Sequence, residues 1–233
     1  MTICLVTDRR QLSPDARTTR EDVLALGRFL EGAVAAGVDL IQLREPDLST
    51  AALSQLARAV RTAADGSGTR VVVNDRADVA LACDCDGVHL RGNGPPVSRV
   101  RELARGSIAQ AEGRDPRHFL TGRSVHTVDE AQTHAAADYL LFGAVFDSGP
   151  KPGIGLAALR AAVHISRATS PAVIAIGGIT VPRAIECITA GASGVAAIRL
   201  FLPPGRAEGA LGVSEAVVQL RGAFDDAVTG HLQ

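Results

Sequence analysis

The chain reads as an α/β protein, a single-domain (β/α)8 TIM barrel over residues 1–233. Three features predict this fold. Short apolar runs recur along the whole length and alternate with segments of helical periodicity, the layout of a parallel sheet covered by helices. Runs such as Ala172-Val-Ile-Ala-Ile176 are apolar at consecutive positions, which marks strands buried on both faces. No linker divides the chain, and 233 residues, 46% of them hydrophobic, suit one large core.

The elements follow in order. Ile3–Thr7 is a first strand, and the polar, proline-bearing Asp8–Thr19 a loop. Glu21–Ala36 has its apolar residues at helical spacing and stops at Gly37. Leu40–Glu45 is the second strand, and Ser49–Ala64 a helix with Ser49 or Thr50 as its cap. Arg70–Asn74 is the third strand, Asp75–Ala82 a short helix and Asp86–Leu90 the fourth strand. A Gly/Pro-rich loop, Arg91–Pro96, leads to a helix from Val97 to about Ala104. Phe119–Val125 holds strand five, Val128–Ala137 a helix, Tyr139–Phe142 strand six and Phe146–Gly155 a long loop. Helix Leu156–Arg167, strand Ala172–Gly177, strand Val195–Ile198 and helix Ser214–Val228 complete the eightfold alternation. Thr180 caps a helix that begins near Pro182, since proline suits the first helical turn.

Composition narrows the function. The net charge is −1, so neither nucleic acid nor a membrane surface is an expected partner. With no Trp and one Tyr there is no aromatic platform for stacking bases or sugars. The apolar Ile3–Val6 lacks a signal-peptide layout, and no apolar run approaches the ~20 residues of a membrane span. A cytoplasmic protein is expected, and a homo-oligomer is compatible with the sequence. The cysteines Cys4, Cys83, Cys85 and Cys187 read as reduced thiols, because Cys83-Asp-Cys85 is too short for a zinc or thioredoxin spacing.

In a (β/α)8 barrel the chemistry gathers where strands run into the loops that follow them. Here those ends offer Gln42 and Arg44, Asn74 and Asp75, His89, Ser124 and His126, then Ser148 and Lys151, Gly177 and Gly178, and Arg199. The set is polar and cationic with one carboxylate, which suits an anionic, phosphorylated small molecule. Gly177-Gly178 before a helix start makes an anion site from bare N–H groups, and Gly191–Gly194 before strand eight repeats the pattern. Gly178→Asp is expected to abolish phosphate binding and leave the fold intact. Each residue also has an ordinary structural role open to it. Arg44 can bind phosphate or form an ion pair with Glu45 or a neighbour, and Asp75 can hold a divalent cation or cap the next helix. His89 and His126 can shuttle a proton or serve as satisfied core histidines. Lys151, between two prolines in a glycine-rich loop, can close over an anion or stay solvated. Asp78 faces solvent or pairs with Arg76.

These strand ends resemble the thiamine phosphate synthase/TenI family. The matching segments are Q-L-R-E (42–45), N-D-R-x-D-V-A-L-A (74–82), D-G-V-H-L (86–90), G-R-S-V-H-T (122–127), D-Y-L-L-F-G-x-V-F (138–146), I-G-G-I-T (176–180) and G-A-S-G-V (191–195). The resemblance implies a TIM barrel that couples hydroxymethylpyrimidine diphosphate to a thiazole phosphate, with Mg²⁺ as cofactor. It implies that Gln42, Arg44, Asn74, Ser124 and Lys151 bind the pyrimidine diphosphate and that Asp75 binds Mg²⁺. Gly178, Ile198 and the Ser148–Pro150 segment would hold the thiazole phosphate.

The chain also departs from that pattern. Pro46 replaces a lysine. Gly94 stands at the second Mg²⁺ carboxylate, and Arg91 adds a positive charge that cannot itself ligate a cation. Arg199 stands where synthases carry Ser, and the loop from Asp147 to Pro152 lacks their threonine-rich pattern. The TenI branch, which tautomerises aminothiazoles, places a histidine where this chain has Ala144. Three functions are therefore carried forward. The first is the coupling reaction, with Arg44 and Lys151 acting on the diphosphate. The second is a tautomerase using His89 or His126, and the third a weakly catalytic or regulatory binder of thiazole phosphate.

Overall fold

The computed structural model describes residues 1–16, 18–108, 119–149, 152–166 and 171–229. Eight parallel strands close into a barrel in chain order. They are β1 (Thr2–Val6), β2 (Leu40–Leu43), β3 (Arg70–Asn74), β4 (Gly87–Leu90), β5 (Leu120–Val125), β6 (Tyr139–Gly143), β7 (Ala172–Ile176) and β8 (Gly194–Ala197). Closure comes from β1 pairing with β8, Thr2 opposite Gly194 and Cys4 opposite Ala196. Among the described residues the helices are α1 (Arg9–Leu12), α2 (Thr19–Ala35), α3 (Thr50–Ala63), α4 (Ala77–Ala82), α5 (Val97–Ile108), α6 (Val128–Thr133), α7 (Gly155–Ser166), α8 (Val181–Thr189) and α9 (Val213–Thr229). The predicted fold class therefore stands, with element ends displaced by a few residues.

The strands look uniformly apolar in sequence, yet side chains alternate across a strand, so each contributes to two separate cores. Outward residues such as Ile3, Leu5, Ile41, Leu43, Val71, Val73, Leu140 and Phe142 pack beneath the helices. Inward residues Cys4, Val6, Leu40, Val72, Tyr139, Leu141, Ile174 and Ala196 fill the barrel itself. Tyr139 fits there because Gly122, beside it in the ladder, has no side chain: a Cβ at 122 would lie 2.1 Å from the tyrosine ring. Continuing the inward rows toward the carboxyl ends of the strands, the interior turns polar at Gln42, Asn74, His89 and Ser124. That change from an apolar floor to a polar mouth positions the site.

Helix starts follow local chemistry. Thr18 and Glu21 form a reciprocal capping box on α2. Ser49, Thr127 and Thr180 each accept from a backbone N–H in the first turn of α3, α6 and α8, and Pro182 lies in the first turn of α8. Three expectations change. The Asp8–Thr19 segment contains the short helix α1, capped by Asp8 and anchored by buried Leu12. The helix expected to reach Ala137 ends at Thr133, where the chain passes into turn bonds from Ala135 N to Gln132 O and from Ala137 N to His134 O. Gly191–Gly194 enters β8 at the end of the barrel opposite the mouth, so it does not contribute to an anion cup. All four cysteines are buried free thiols.

Candidate active site

The first feature of the mouth is a chain of hydrogen bonds across the ends of β2, β3 and β4. Gln42 Nε2 donates to Asn74 Oδ1 at 2.7 Å, and Asn74 Nδ2 donates to Asp75 Oδ2 at 2.8 Å. An ionised carboxylate only accepts, so Asp75 fixes which way the Asn74 amide points, and Asn74 in turn fixes Gln42. The outcome is that Gln42 Oε1 is buried with no partner among the described residues. A buried acceptor of this kind costs roughly 1–3 kcal/mol when left unsatisfied, and a ligand N–H that reached it would recover that cost.

Asp75 does not cap the following helix, since α4 begins after Arg76 without a side-chain cap. Its φ of +60° places it in the left-handed region, with its N–H bonded to His89 O at 2.8 Å. Both carboxylate oxygens are occupied. Arg91 N donates to Oδ1 at 2.9 Å, and Arg91 Nε donates to Oδ2 at 2.7 Å. The remaining expected ligand position is Gly94, whose carbonyl accepts from Arg123 NH2 at 3.1 Å. Among the described residues no group of three or more His, Cys, Asp or Glu could hold a metal ion. A lone carboxylate already accepting three donors is a poor fit to Mg²⁺, which prefers near-octahedral oxygen ligation. Asp78 is paired with Arg76, as one of the two alternatives held.

His89 is fully buried at the end of β4, with Nδ1 3.2 Å from Tyr139 Oη and Nε2 2.8 Å from Ser124 Oγ. Burial pulls its pKa down to about 3, with Arg123 and Arg44 opposing the cation and Asp75 favouring it. The charges of Arg44 and Asp75 thus act together on one ring at the mouth. Of the two alternatives for His89, proton shuttle and satisfied core histidine, the geometry favours the second: the ring is enclosed, both nitrogens are partnered, and it positions Ser124. Stability should record this. His89 binds its proton near pH 6.5 when unfolded and near pH 3 when folded, so acid favours unfolding as pH falls from 6.5 toward 3, and above 6.5 the term is absent. His89→Gln is expected to reduce the fall in urea midpoint between about pH 7 and about pH 4.5. An equal fall in both proteins would remove His89 from the acid response.

His126, the other histidine, lies exposed beyond β5. Its Nδ1 contacts the Gly143 carbonyl, and its backbone N–H donates to Glu130 Oε2 at 2.6 Å. A carbonyl can only accept, so Nδ1 carries a proton.

Arg44 is exposed just past β2, with its backbone N–H held by Thr7 Oγ1 at 2.9 Å. Its guanidinium has no partner among the described residues, and the alternative pairing with Glu45 is ruled out by Arg9, which binds Glu45 instead. Buried Arg9 gathers three carboxylates: NH1 lies 2.9 Å from Glu45 Oε2, NH2 lies 2.6 Å from Asp47 Oδ2, and Nε lies 3.0 Å from Asp22 Oδ2. The last is an ion pair without hydrogen-bond alignment. The side-chain bonds from Arg9 hold Asp47 well below the usual carboxylate range, whereas burial pushes Glu45 up against the opposing pull of Thr7 and Arg9. Sequence inspection does not find this network, because Glu45 and Asp47 lie 36 and 38 positions from Arg9.

At the opposite side of the mouth, Gly177 (φ +99°) and Gly178 (φ +64°) turn the chain after β7. Arg183 NH1 donates to Gly178 O at 2.9 Å and its guanidinium lies 4.8 Å over the Phe146 ring. A Cβ at 178 would stand 2.6 Å from Asp147 O and 2.8 Å from Phe146 Cβ. The expectation for Gly178→Asp is therefore revised: the substitution disturbs the loop after β6 as well as any anion site. Beyond β8, Ile198 precedes the 3₁₀ turn Arg199–Phe201, whose start has no side-chain cap. Arg199 is exposed, its NH2 3.8 Å from where a Gly149 Cβ would stand, beside half-buried Ser148. Lys151 and Pro150 lie outside the described residues.

The fold and the mouth define a (β/α)8 barrel of the enzyme-like kind, its polar and cationic side chains collected at the carboxyl ends of the strands. The family model described as thiamine monophosphate synthase matches residues 4–201, and the chain belongs to that family. It is 38% identical over 207 residues to a putative thiamine-phosphate synthase of Geobacter sulfurreducens, covering 85% of each chain. It is 40% identical over 179 residues to a thiamine-phosphate synthase of Methanoculleus marisnigri, covering 74% of this chain and 78% of the relative. The structure of a thiamine phosphate pyrophosphorylase from Pyrococcus furiosus superposes with a TM-score of 0.75 at 28% identity, over 97% of this chain and 96% of that one.

Proposed function

We propose that this chain is a transferase of thiamine biosynthesis that joins hydroxymethylpyrimidine diphosphate to a thiazole phosphate and releases diphosphate. The observation that carries this reading is the Gln42–Asn74–Asp75 chain, which leaves one buried amide oxygen, Gln42 Oε1, unpaired. The pyrimidine's amino group is a donor that would satisfy it. In the reaction the methylene C–O bond breaks and its electron pair leaves with the diphosphate. The thiazole ring nitrogen then gives its lone pair to the methylene carbon and becomes a ring cation. No proton needs to be moved, which agrees with a neutral, enclosed His89.

Charge does the remaining work. Arg44 and Lys151 supply the positive charge that neutralises the departing diphosphate. Ser124, held by His89, contacts the diphosphate. The Gly177-Gly178 turn, Ser148, Ile198 and Arg199 bind the thiazole phosphate. No helix among the described residues is long and apolar enough to cross a membrane, and both substrates are small water-soluble phosphates, in keeping with cytoplasmic work. The test is to incubate the full chain with both substrates and to measure thiamine phosphate and diphosphate. Equal amounts of the two are expected, and absence of both would overturn the reading.

One observation favours a second reading. With Nδ1–H turned toward Gly143 O, His126 leaves Nε2 as the ring nitrogen that an aminothiazole tautomerase would use as its base. Isomerisation of an aminothiazole without coupling, lost in His126→Ala, would select it.

A further inference from the structure

We infer that Arg91 is the built-in cation of this mouth, binding the diphosphate group directly and making a divalent ion dispensable for that step. The inference rests on the coupling reading above and goes beyond it by naming what balances the diphosphate's charge near Asp75.

Three observations carry it. Asp75 accepts from Arg91 N, Arg91 Nε and Asn74 Nδ2, at 2.9, 2.7 and 2.8 Å, so both of its oxygens are engaged and its charge is paired with the Arg91 guanidinium. A divalent ion would have to compete with a guanidinium that already neutralises the carboxylate. Next, only the Nε edge of Arg91 is used. Its terminal NH1 and NH2 groups have no partner among the described residues, and the side chain is 65% exposed. A guanidinium pinned along one edge offers its other N–H groups in a fixed plane, the geometry that suits phosphate oxygens. Finally, the loop carrying Arg91 is held from beneath. Gly94 N donates to Arg91 O at 2.9 Å, and Arg123, 3% exposed, donates from NH1 to Pro95 O at 2.8 Å and from NH2 to Gly94 O. The backbone at 91–95 is therefore tied to β5, and the Arg91 head group is set by Asp75.

The arrangement also explains how Gly94 is tolerated. A Cβ there would lie 3.3 Å from Arg123 NH1, so an acid at 94 would be drawn to Arg123 rather than toward Asp75. The carboxylate at Asp75 then has one cation, and that cation is covalently part of the chain.

The experiment is calorimetric titration of the full chain with inorganic diphosphate, once with EDTA and once with Mg²⁺, for wild type, Arg91→Ala and Arg91→Lys. Wild type is expected to bind with affinities that agree within about threefold in the two buffers, a difference under 1 kcal/mol on the binding scale. Arg91→Ala should bind about tenfold or more weakly in EDTA, the scale of one charge-assisted contact, and should recover when Mg²⁺ can reach the vacated Asp75. Arg91→Lys, which keeps the charge and loses the planar fork, should fall between. Manganese titration followed by electron paramagnetic resonance should show binding to Arg91→Ala and none to wild type.

The inference is overturned if chelation weakens diphosphate binding to wild type by tenfold, or if Arg91→Ala in EDTA matches wild type. Either result leaves the coupling assay unaffected, so the inference would fail alone. If wild type bound diphosphate in neither buffer and formed no product, the coupling reading would fall and take the inference with it.

Discussion

Replacing Arg9 with Met is expected to cost the fold about 3–5 kcal/mol, the range found when one partner of a buried ion cluster is removed. The chain would keep the side chain's bulk and lose the one cation that Glu45, Asp47 and Asp22 share. Glu45, 5% exposed, would be left as a buried carboxylate whose only ionic partner among the described residues is gone. Burial already raises its pKa in the presence of Arg9. Without Arg9 the rise is larger, and the sign of the pH effect follows. A carboxyl whose folded pKa lies above its unfolded value costs stability as pH rises through the folded value and costs nothing below the unfolded one. The deficit of Arg9→Met should therefore be smaller near pH 4 than near pH 8. Urea unfolding at the two pH values reads both quantities. A loss under about 1 kcal/mol, or a deficit that does not change with pH, would show that the cluster is not the clamp on the β2–α3 loop.

The second large effect concerns activity. Arg44→Ala is expected to lower kcat/KM for coupling by about 10²-fold and leave the unfolding midpoint unchanged. The two halves of this expectation have separate causes. The fold does not use the Arg44 guanidinium: its backbone N–H bonds Thr7 Oγ1, a contact that alanine retains, and its head group has no partner among the described residues. In the proposed coupling reaction the guanidinium's part would be to receive the charge of the leaving diphosphate through two parallel N–H bonds. Arg44→Lys should recover only part of the loss, as an ammonium is a point charge without that fork. A change in KM alone, with kcat intact, would mean that Arg44 serves ground-state binding and not bond cleavage.

What could be read from the sequence was set by distance along the chain. The barrel was legible because each strand declares itself in four to six residues and some helices announce their start with a cap, as Ser49 and Thr180 do. The inward direction of Gln42 was legible from strand alternation. Arg9 was not, because what makes it a clamp is the return of Glu45 and Asp47 beside it, and only the closed barrel brings β1 and β2 ends together. Arg91 was visible as an odd charge, but its attachment to Asp75 depends on the β3 and β4 ends lying side by side. For His89 the sequence left an even choice, which Tyr139 and Ser124, 50 and 35 positions away, decide. Gly191–Gly194 misled because glycine marks a turn without saying at which end of a strand it lies.

The pairing of β1 with β8 has a consequence for how the molecule comes into being. The first strand leaves the ribosome long before the eighth, and until then one whole edge of it is open, with Arg221 of α9 also absent from the Met1 carbonyl it will bind. Contacts of such long sequence separation carry a high loop-closure entropy and slow the final assembly. A chain whose last strands have not yet formed therefore carries a bare sheet edge of the kind that pairs with other chains, whereas the finished ring has no edge to expose.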